Sequence, residues 1–359
     1  MAAICPSGGV ADNRLLGYDA GCMACDIDTD VAIIGAGPVG LFAVFELGML
    51  KLSAVLVDAL SEVGGQCAAL YPEKPIYDIP AHPAIDAGAL VTQLERQIAP
   101  FRAPRLLGRR VTGLAGGPGG FALTTDQDDS VRAKAVLIAA GGGAFGPNRP
   151  PLEGLGQYEA SGAVQYYVRR REDLRGKRVV IAGGGDSAVD WALALHDIAR
   201  VVVVHRRAKF RAAPESAAQL DAAARQGEIE MVIPYQLHAL HGADGVLRHV
   251  EVATLHGETK LLAADVLLPF FGLSMDLGPI AAWGLDRDLH HVKVDPATCQ
   301  TSMPGVFAIG DVATYPGKLK LILQGFSEAA VAAHAIFSVV HPGEALHFEY
   351  STTKGVPGA

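Results

Sequence analysis

Two unbroken apolar runs, Val31-Ala-Ile-Ile34 and Val179-Val-Ile-Ala182, each lead into a cluster of glycines and then into a stretch whose apolar residues recur at helical spacing. A run that is apolar at every position predicts a strand covered on both faces, as in a parallel sheet. The units predicted this way span Asp30 to Leu50 and Arg178 to Leu195, and a further short strand follows each, Val55-Leu-Val57 and Val201-Val-Val-Val204. Strand, glycine turn, helix and strand together have the sequence form of a βαβ unit. The two copies start about 148 residues apart, Asp30 to Arg178, which is too far for a short-period repeat and predicts two separate Rossmann-type units.

Turn formers punctuate the remainder. Gly146-Pro-Asn-Arg-Pro-Pro-Leu-Glu-Gly154 predicts one crossover between domains, and Gly272 to Pro279 a second. The chain after the second holds a short strand and a long helix, which cannot close a core alone and are expected to return to the first domain. The expected layout is an N-terminal extension (1–26), a first nucleotide-binding domain in two segments (27–148 and 273–342), a second one inserted between them (149–272), and a C-terminal tail (343–359). A length of 359 residues, beyond what one core usually organises, agrees with two domains.

Composition narrows the class. Half the residues are apolar and 19% charged, with 42 glycines and 21 prolines, as expected of a well-packed α/β protein with many tight turns. Val31 to Leu50 has Glu46 as its only charge, but its internal Gly35, Gly37, Pro38 and Gly40 predict strand, turn and helix, not a membrane span. The net charge of −8 argues against nucleic acid as a partner. It is uneven: Gln165 to Arg211 carries eleven Lys or Arg against five Asp or Glu, so this stretch is +6 and the remainder −14. Five thinly scattered cysteines, Cys5, Cys22, Cys25, Cys67 and Cys299, make no disulfide framework and lead to the expectation of a reducing cytoplasm. Cys22-Met-Ala-Cys25 reads as a chance spacing in the extension, since no second pair of ligands matches it.

Three motifs carry chemistry. In Gly35-Ala-Gly37-Pro-Val-Gly40, the first glycine permits the tight turn, the second admits a pyrophosphate to the backbone and the third lets helix and strand pack closely. Asp58 ends the next strand, where a carboxylate can take ribose hydroxyls. Gly310-Asp311, after the short strand Val306-Phe-Ala-Ile309, offers an acceptor for a ribityl hydroxyl just before a helix, and this distinguishes FAD from a second pyridine nucleotide. The second turn, Gly183-Gly-Gly185-Asp186-Ser187-Ala188, is followed by a strand ending in His205-Arg206-Arg207, with Arg211 close behind. A carboxylate there would suit NAD, whereas guanidinium groups pair with a 2′-phosphate, so NADPH or NADP+ is expected.

The chain resembles the ferredoxin–NADP reductases of thioredoxin-reductase type. The strings that carry the likeness are Gly64-Gly-Gln66-Cys-Ala-Ala-Leu-Tyr71-Pro-Glu-Lys-Pro-Ile-Tyr77-Asp78, Gly184-Gly-Asp-Ser-Ala-Val-Asp-Trp191, His205-Arg-Arg-Ala-Lys-Phe-Arg-Ala212, Gly310-Asp-Val-Ala-Thr-Tyr315 and Tyr350-Ser-Thr352. The resemblance implies two Rossmann-like domains of three-layer ββα build, as in pyridine nucleotide-disulfide oxidoreductases but without the redox disulfide. It implies that Asp58 holds the FAD ribose, that Gln66 and Tyr71 contact the flavin with Tyr71 stacked on it, and that Val111, Phe145 and Asp311 line the site. It further implies a homodimer whose tail, through Tyr350 and Thr352, covers the partner's flavin. The departures count too: Gln165-Tyr-Tyr-Val168 stands where thioredoxin reductases carry their redox cysteines, and Cys67 is followed by Pro72 in place of a second cysteine. Electrons must then leave the flavin directly, which suits a one-electron iron–sulfur acceptor.

The resulting expectation is hydride transfer from NADPH to FAD, with nicotinamide and flavin held about 3–3.5 Å apart by positioning and with no acid or base residue, then single electrons to ferredoxin. The inserted domain is expected to swing about its crossovers. The cluster Arg169, Arg170, Arg171, Arg175 and Lys177 is a candidate docking patch for an acidic ferredoxin. Two other readings stay open on the residues alone: NADPH-dependent reduction of flavodoxin, quinone or ferric iron, and a non-enzymatic FAD- and NADP-binding redox sensor.

Overall fold

A computed structural model describes residues 24–117, 119–346 and 355. The first segment runs β1 (Asp26–Ile34), α1 (Pro38–Met49), β2 (Ala54–Asp58), α2 (Gly65–Ala69), α3 (Ala87–Ile98), β3 (Arg105–Leu107), β4 (Val111–Gly117), β5 (Gly120–Thr125), β6 (Ser130–Ile138) and β7 (Ala144–Pro147). The parallel order β3-β2-β1-β6 forms the parallel part of one sheet, with β3 at its edge. β6 then divides. Its first half pairs with β5, which with β4 makes an antiparallel meander, while its second half is free to take another parallel partner.

Alternate residues of β1 serve two cores, because successive strand side chains point to opposite faces. Val31 and Ile33 pack among Leu41, Val44 and Leu47 of α1 and Leu90 and Leu94 of α3. Ala32 and Ile34 face the meander through Phe121 and Leu123. The domain therefore has helices, parallel sheet and antiparallel meander as three layers.

The inserted domain repeats the design. After α4 (Leu155–Ala160), β8 (Arg178–Gly183), α5 (Asp186–Leu195), β9 (Arg200–Val204), α6 (Pro214–Arg225), β10 (Ile229–Val232), then a meander of β11 (Gln236–Ala243), β12 (Val246–Ala253) and β13 (Thr259–Ala263), lead into β14 (Val266–Phe270). The parallel order is β10-β9-β8-β14. Val179 and Ile181 face α5 and α6, and Val180 and Ala182 face the meander.

The chain returns through β15 (Leu273–Asp276), β16 (His291–Lys293), β17 (Val306–Ala308), β18 (Ala313–Thr314) and α7 (Ile322–Val340). β17 fills the vacant edge of β6, with Val306 opposite Val136, so the second segment completes the first domain's sheet. The two crossovers touch: β15 pairs antiparallel with β7, Leu273 opposite Pro147 through Asp276 opposite Ala144. Hydrogen bonds from the Asn148 backbone and side chain to Gly272 and Phe271 extend this ribbon. α7 is long and apolar enough to cross a membrane by length and composition. Here its Ala329, Ala332, Ala333 and Ile336 enter the helical core beside α1.

Three expectations need correction. Residue 25 belongs to the first domain and not to an extension: Cys25 is buried, and its N–H donates to the fully buried Asp129 at 3.0 Å. Its partner in the C-x-x-C spacing, Cys22, lies outside the described residues, as do Tyr350 and Thr352. Gly310-Asp311 does not directly precede a long helix. A single 3₁₀ turn, Gly310–Val312, and β18 follow it, and α7 begins only at Ile322. The chain takes this detour because β18 first pairs in parallel with β16. The basic cluster is largely neutralised by carboxylates on the same surface, with Arg170 3.8 Å from Asp173, Arg171 2.6 Å from Asp197 and Arg175 2.7 Å from Glu172.

Candidate functional site

At the carboxyl ends of β1, β2 and β6 the first glycine turn opens onto a cleft of about 530 Å³. Gly35 sits at φ +110°, a conformation that side chains rarely adopt, and a Cβ there would lie 2.4 Å from the Ala139 carbonyl oxygen. At Gly40 a Cβ would fall 2.0 Å from the Gly35 carbonyl oxygen, so helix α1 can approach the turn only because that position is bare. Gly37 differs. It has an ordinary extended backbone (φ −70°, ψ 179°), and a Cβ would meet nothing within 4 Å. The fold does not require glycine there, and the bare backbone leaves room for a group to lie against it. α1 begins immediately afterwards with Pro38, so the free N–H groups of its first turn face the same space. This cradle fits a diphosphate.

Asp58, Gln66, Tyr71, Val111 and Asp311 all line this cleft with Gly35 and Gly37, whereas Gly40 lies behind the wall. Asp58 has a second duty: one carboxylate oxygen accepts from the Ala36 N–H at 2.6 Å and the other from Leu60 at 2.8 Å, which ties the glycine turn to the end of β2. Burial raises its pKa, against the pull of those two donors. Each oxygen retains a lone pair for a ribose hydroxyl. Tyr71 lies partly buried where the two domains meet, touching the helical cores of both, with Lys74 above its ring at 5.9 Å. Burial, then Cys67 and Asp311, push its phenol well above the ordinary range, so it acts as a neutral ring. Phe145 belongs to β7 of the ribbon, opposite Met275. The motifs missed Arg109 and Arg110 in the wall with Asp58, the stretch Asp276–Ile280, and Lys320–Ile322, all of which line the cleft. Arg109 stands 2.9 Å from Asp129, an ion pair between groups twenty positions apart that no local pattern announces.

Among the described residues one cysteine lines the cleft, Cys67, and it is 3% exposed with its thiol 3.9 Å from the Tyr71 hydroxyl. Burial pushes the thiol up to about 11, so it is protonated and unreactive at neutral pH. Alkylation of Cys67 at about pH 8, followed by peptide mapping, should be about a hundredfold slower in the folded protein than in the unfolded chain. Cys67→Ala should keep NADPH-dependent dye reduction within about twofold, whereas a loss like that of a dithiol enzyme would restore a thiol relay.

The second turn repeats the arrangement of the first. Gly185 has an extended backbone (φ −98°, ψ −177°), and a Cβ there would meet nothing within 4 Å, so this turn too leaves a bare backbone before a helix. Gly184 is bare for another reason: the His205 ring covers it, and a Cβ would be 2.1 Å from the imidazole. The loop after β9 is then pinned to the turn, since Arg211 N–H donates to the Gly184 carbonyl at 2.6 Å and Ala213 N–H to Asp186 at 2.9 Å. Asp186, expected to bind the nucleotide, thus clasps the loop. Ser187 sits in the first turn of α5. Burial, with the cations of Arg206, Arg207 and Arg211, lowers the His205 pKa and leaves it neutral. Arg206, Arg207 and Arg211 are exposed, and among the described residues none has a carboxylate within ion-pairing distance, in contrast to Arg170, Arg171, Arg175 and Arg178. Three uncompensated guanidinium groups beside a phosphate cradle fit a nucleotide with an extra phosphate.

Known proteins agree with this geometry. Residues 29–335 match the pyridine nucleotide-disulphide oxidoreductase family. A ferredoxin–NADP reductase of Acidiphilium cryptum is 76% identical over 337 residues, covering 94% of this chain and 99% of its own. One from Granulibacter bethesdensis is 75% identical, covering 92% and 95%. Among solved structures, the thioredoxin reductase of Lactococcus lactis superposes with a TM-score of 0.75 at 24% identity over 87% of this chain and 99% of its own, a likeness of fold.

Proposed function

Because the chain belongs to the pyridine nucleotide-disulphide oxidoreductase family, and within it to the ferredoxin–NADP reductases, we infer that it is an FAD-dependent enzyme moving electrons between NADPH and ferredoxin. The observation that carries this reading is the pair of bare glycine cradles, one opening on a cleft with a single inert thiol and the other flanked by uncompensated arginines. Bound FAD supplies exchange between a two-electron hydride donor and a one-electron acceptor. The chain's own residues supply position. Gly35–Pro38 and the first turn of α1 hold the diphosphate, Asp58 the adenosine ribose, and Asp311 a ribityl hydroxyl at the other end. Tyr71, a neutral ring in the cleft wall, would cover the isoalloxazine and keep water off it. Gly183–Ser187 and Arg206, Arg207 and Arg211 hold NADPH. No side chain has to gain or lose a proton for hydride transfer.

In the present arrangement Lys74 pairs with Asp190 of α5 at 2.8 Å, and the Arg171 N–H donates to Glu73 at 2.8 Å, so the inserted domain leans on the Tyr71–Lys74 loop. Admission of the nicotinamide requires these contacts to part as the domain turns on its ribbon.

Finer parts of the reading are a homodimer and a reducing cytoplasmic setting. Support for the first is the exposed row Leu319, Leu321 and Leu323 beside the cleft. Support for the second is that Cys67 and Cys299 are buried thiols.

Reduction of cytochrome through purified ferredoxin tests the whole reading. Raising ionic strength from about 0.01 to about 0.15 M, which shortens the Debye length from about 30 to about 8 Å, should slow it roughly tenfold while leaving direct dye reduction unchanged. Dye reduction with no ferredoxin-linked turnover would transfer the assignment to another acceptor. Since Arg170, Arg171 and Arg175 are already paired, Arg169 and Lys177 are the members of the basic cluster to reverse in charge first.

A further inference from the structure

α7 is an apolar helix with one acidic residue, Glu328, and that residue is buried to 3% exposure among alanines. Its carboxylate accepts from three donors. One oxygen accepts from the Gly310 N–H at 2.7 Å; the other accepts from the Tyr315 hydroxyl at 2.6 Å and from the Lys318 ammonium. The Lys318 side chain is itself only 5% exposed. Gln324 in turn donates to the Tyr315 oxygen at 2.8 Å. Burying an ion pair costs several kcal/mol of desolvation per ion, and an apolar pair of similar volume often serves stability as well or better. A stability role alone therefore explains this pair poorly.

Its location suggests another role. Gly310 precedes Asp311, both line the FAD cleft, and Gly310 holds a φ of +72° that aims its N–H away from the cleft toward α7. Without Glu328 that N–H is an unpaired buried donor. Tyr315 and Lys318 belong to the loop that leads to Lys320–Ile322, the other part of the same wall. One carboxylate thus joins two cleft-lining segments to the helix behind them.

Resting on the FAD reading, we propose that Glu328 and Lys318 form a buried, mutually neutralising charge pair that positions the Gly310–Asp311 wall of the cleft and sets the electrostatic potential felt by the bound flavin. Both are positioning residues, since neither lines the cleft. The balance is what matters. Removing the carboxylate leaves a positive charge behind the wall and favours added electron density on the flavin; removing the ammonium leaves a negative charge and disfavours it.

The test measures the midpoint potential of bound FAD by reductive titration with dithionite, without ferredoxin or NADPH, together with FAD affinity after resolution and reconstitution. Glu328→Gln should move the potential up and Lys318→Met down, and the double variant should return it near the wild-type value. FAD affinity should fall about tenfold in each single variant and recover partly in the double. Singles that weaken FAD binding with unchanged potentials, or shift in the same direction, would reduce the pair to packing and overturn the proposal. If either single variant fails to fold, Tyr315→Phe serves instead: it removes one donor from Glu328 without changing charge and should lower the potential, and an unmoved potential would count equally against the pair. Wild-type protein that takes up no FAD would be a failure of the FAD reading, seen before any variant is compared.

Discussion

Gly37→Ala should yield a folded protein with clearly weakened FAD binding, while Gly40→Ala should fail to accumulate as folded protein at all. The two glycines lie three residues apart in one motif, yet they are bare for different reasons. A methyl on Gly40 would lie 2.0 Å from the Gly35 carbonyl oxygen, and relief requires helix α1 to move off a sheet it covers with Leu41, Val44 and Leu47. A methyl on Gly37 meets no protein atom within 4 Å on a backbone any residue adopts, so the chain should fold normally. The methyl instead occupies the space of the diphosphate. A steric cost of ~1–3 kcal/mol corresponds to roughly 5–150-fold weaker FAD binding. The ratio of visible flavin absorbance to protein absorbance, read beside a thermal melt, separates the two outcomes. A yellow Gly37→Ala protein with wild-type affinity would mean that the cofactor does not approach this turn.

Replacing both Arg206 and Arg207 by Ala should cost about a hundredfold in kcat/KM for NADPH while changing that for NADH by less than about threefold. Charge-assisted hydrogen bonds to phosphate contribute ~1.5–3 kcal/mol each, and two of them reach the ~2.8 kcal/mol that a hundredfold requires. NADH has no phosphate at that position, so it should not register the change. The loss should appear mainly in KM, because the contact is the same in ground state and transition state. His205 adds no charge at neutral pH, and its ring supports Gly184, so His205→Ala should affect both nucleotides alike. Equal losses for NADPH and NADH in the double arginine variant would sink the assignment of the 2′-phosphate to these residues.

What the sequence made legible is what nearby positions decide. Gly35, Gly37 and Gly40 act within six residues, Asp58 ends the next strand, and the arginines follow directly on the second strand of the inserted domain, so one pass along the chain reaches both nucleotide turns. Contacts between distant positions were illegible. The Arg171–Asp197 pair spans 26 positions, which is why the run of arginines gave no sign that Arg171 is already paired. The bond from Cys25 to Asp129 spans 104, and this hidden partner drew residue 25 into the domain. Glu328 was illegible for another reason. A single acid in an apolar helix reads as the solvent-facing position, and only the packing of α7 against the Gly310 turn reveals it as the buried one. Asp311 was found by its motif, but its expected helix was not, since the demand of β18 for a partner strand is set by the sheet and not by the neighbouring residues.

The ribbon of β7 and β15 also bears on how the chain folds. Seen from the first domain, Pro147 and Leu273 are facing residues of a hairpin, and the 125 residues between them, 148 to 272, are its loop. Closing a flexible loop of that length instead of a two-residue turn costs about 4 kcal/mol of chain entropy. Once the insert has folded, its two ends are already held side by side, as Asn148 and Gly272 are here, and most of that cost disappears. The insert should therefore become protected from hydrogen exchange before β17 docks on β6. A first domain deprived of its insert should need only a short Asn-Gly turn between Pro147 and Leu273 to recover the same closure.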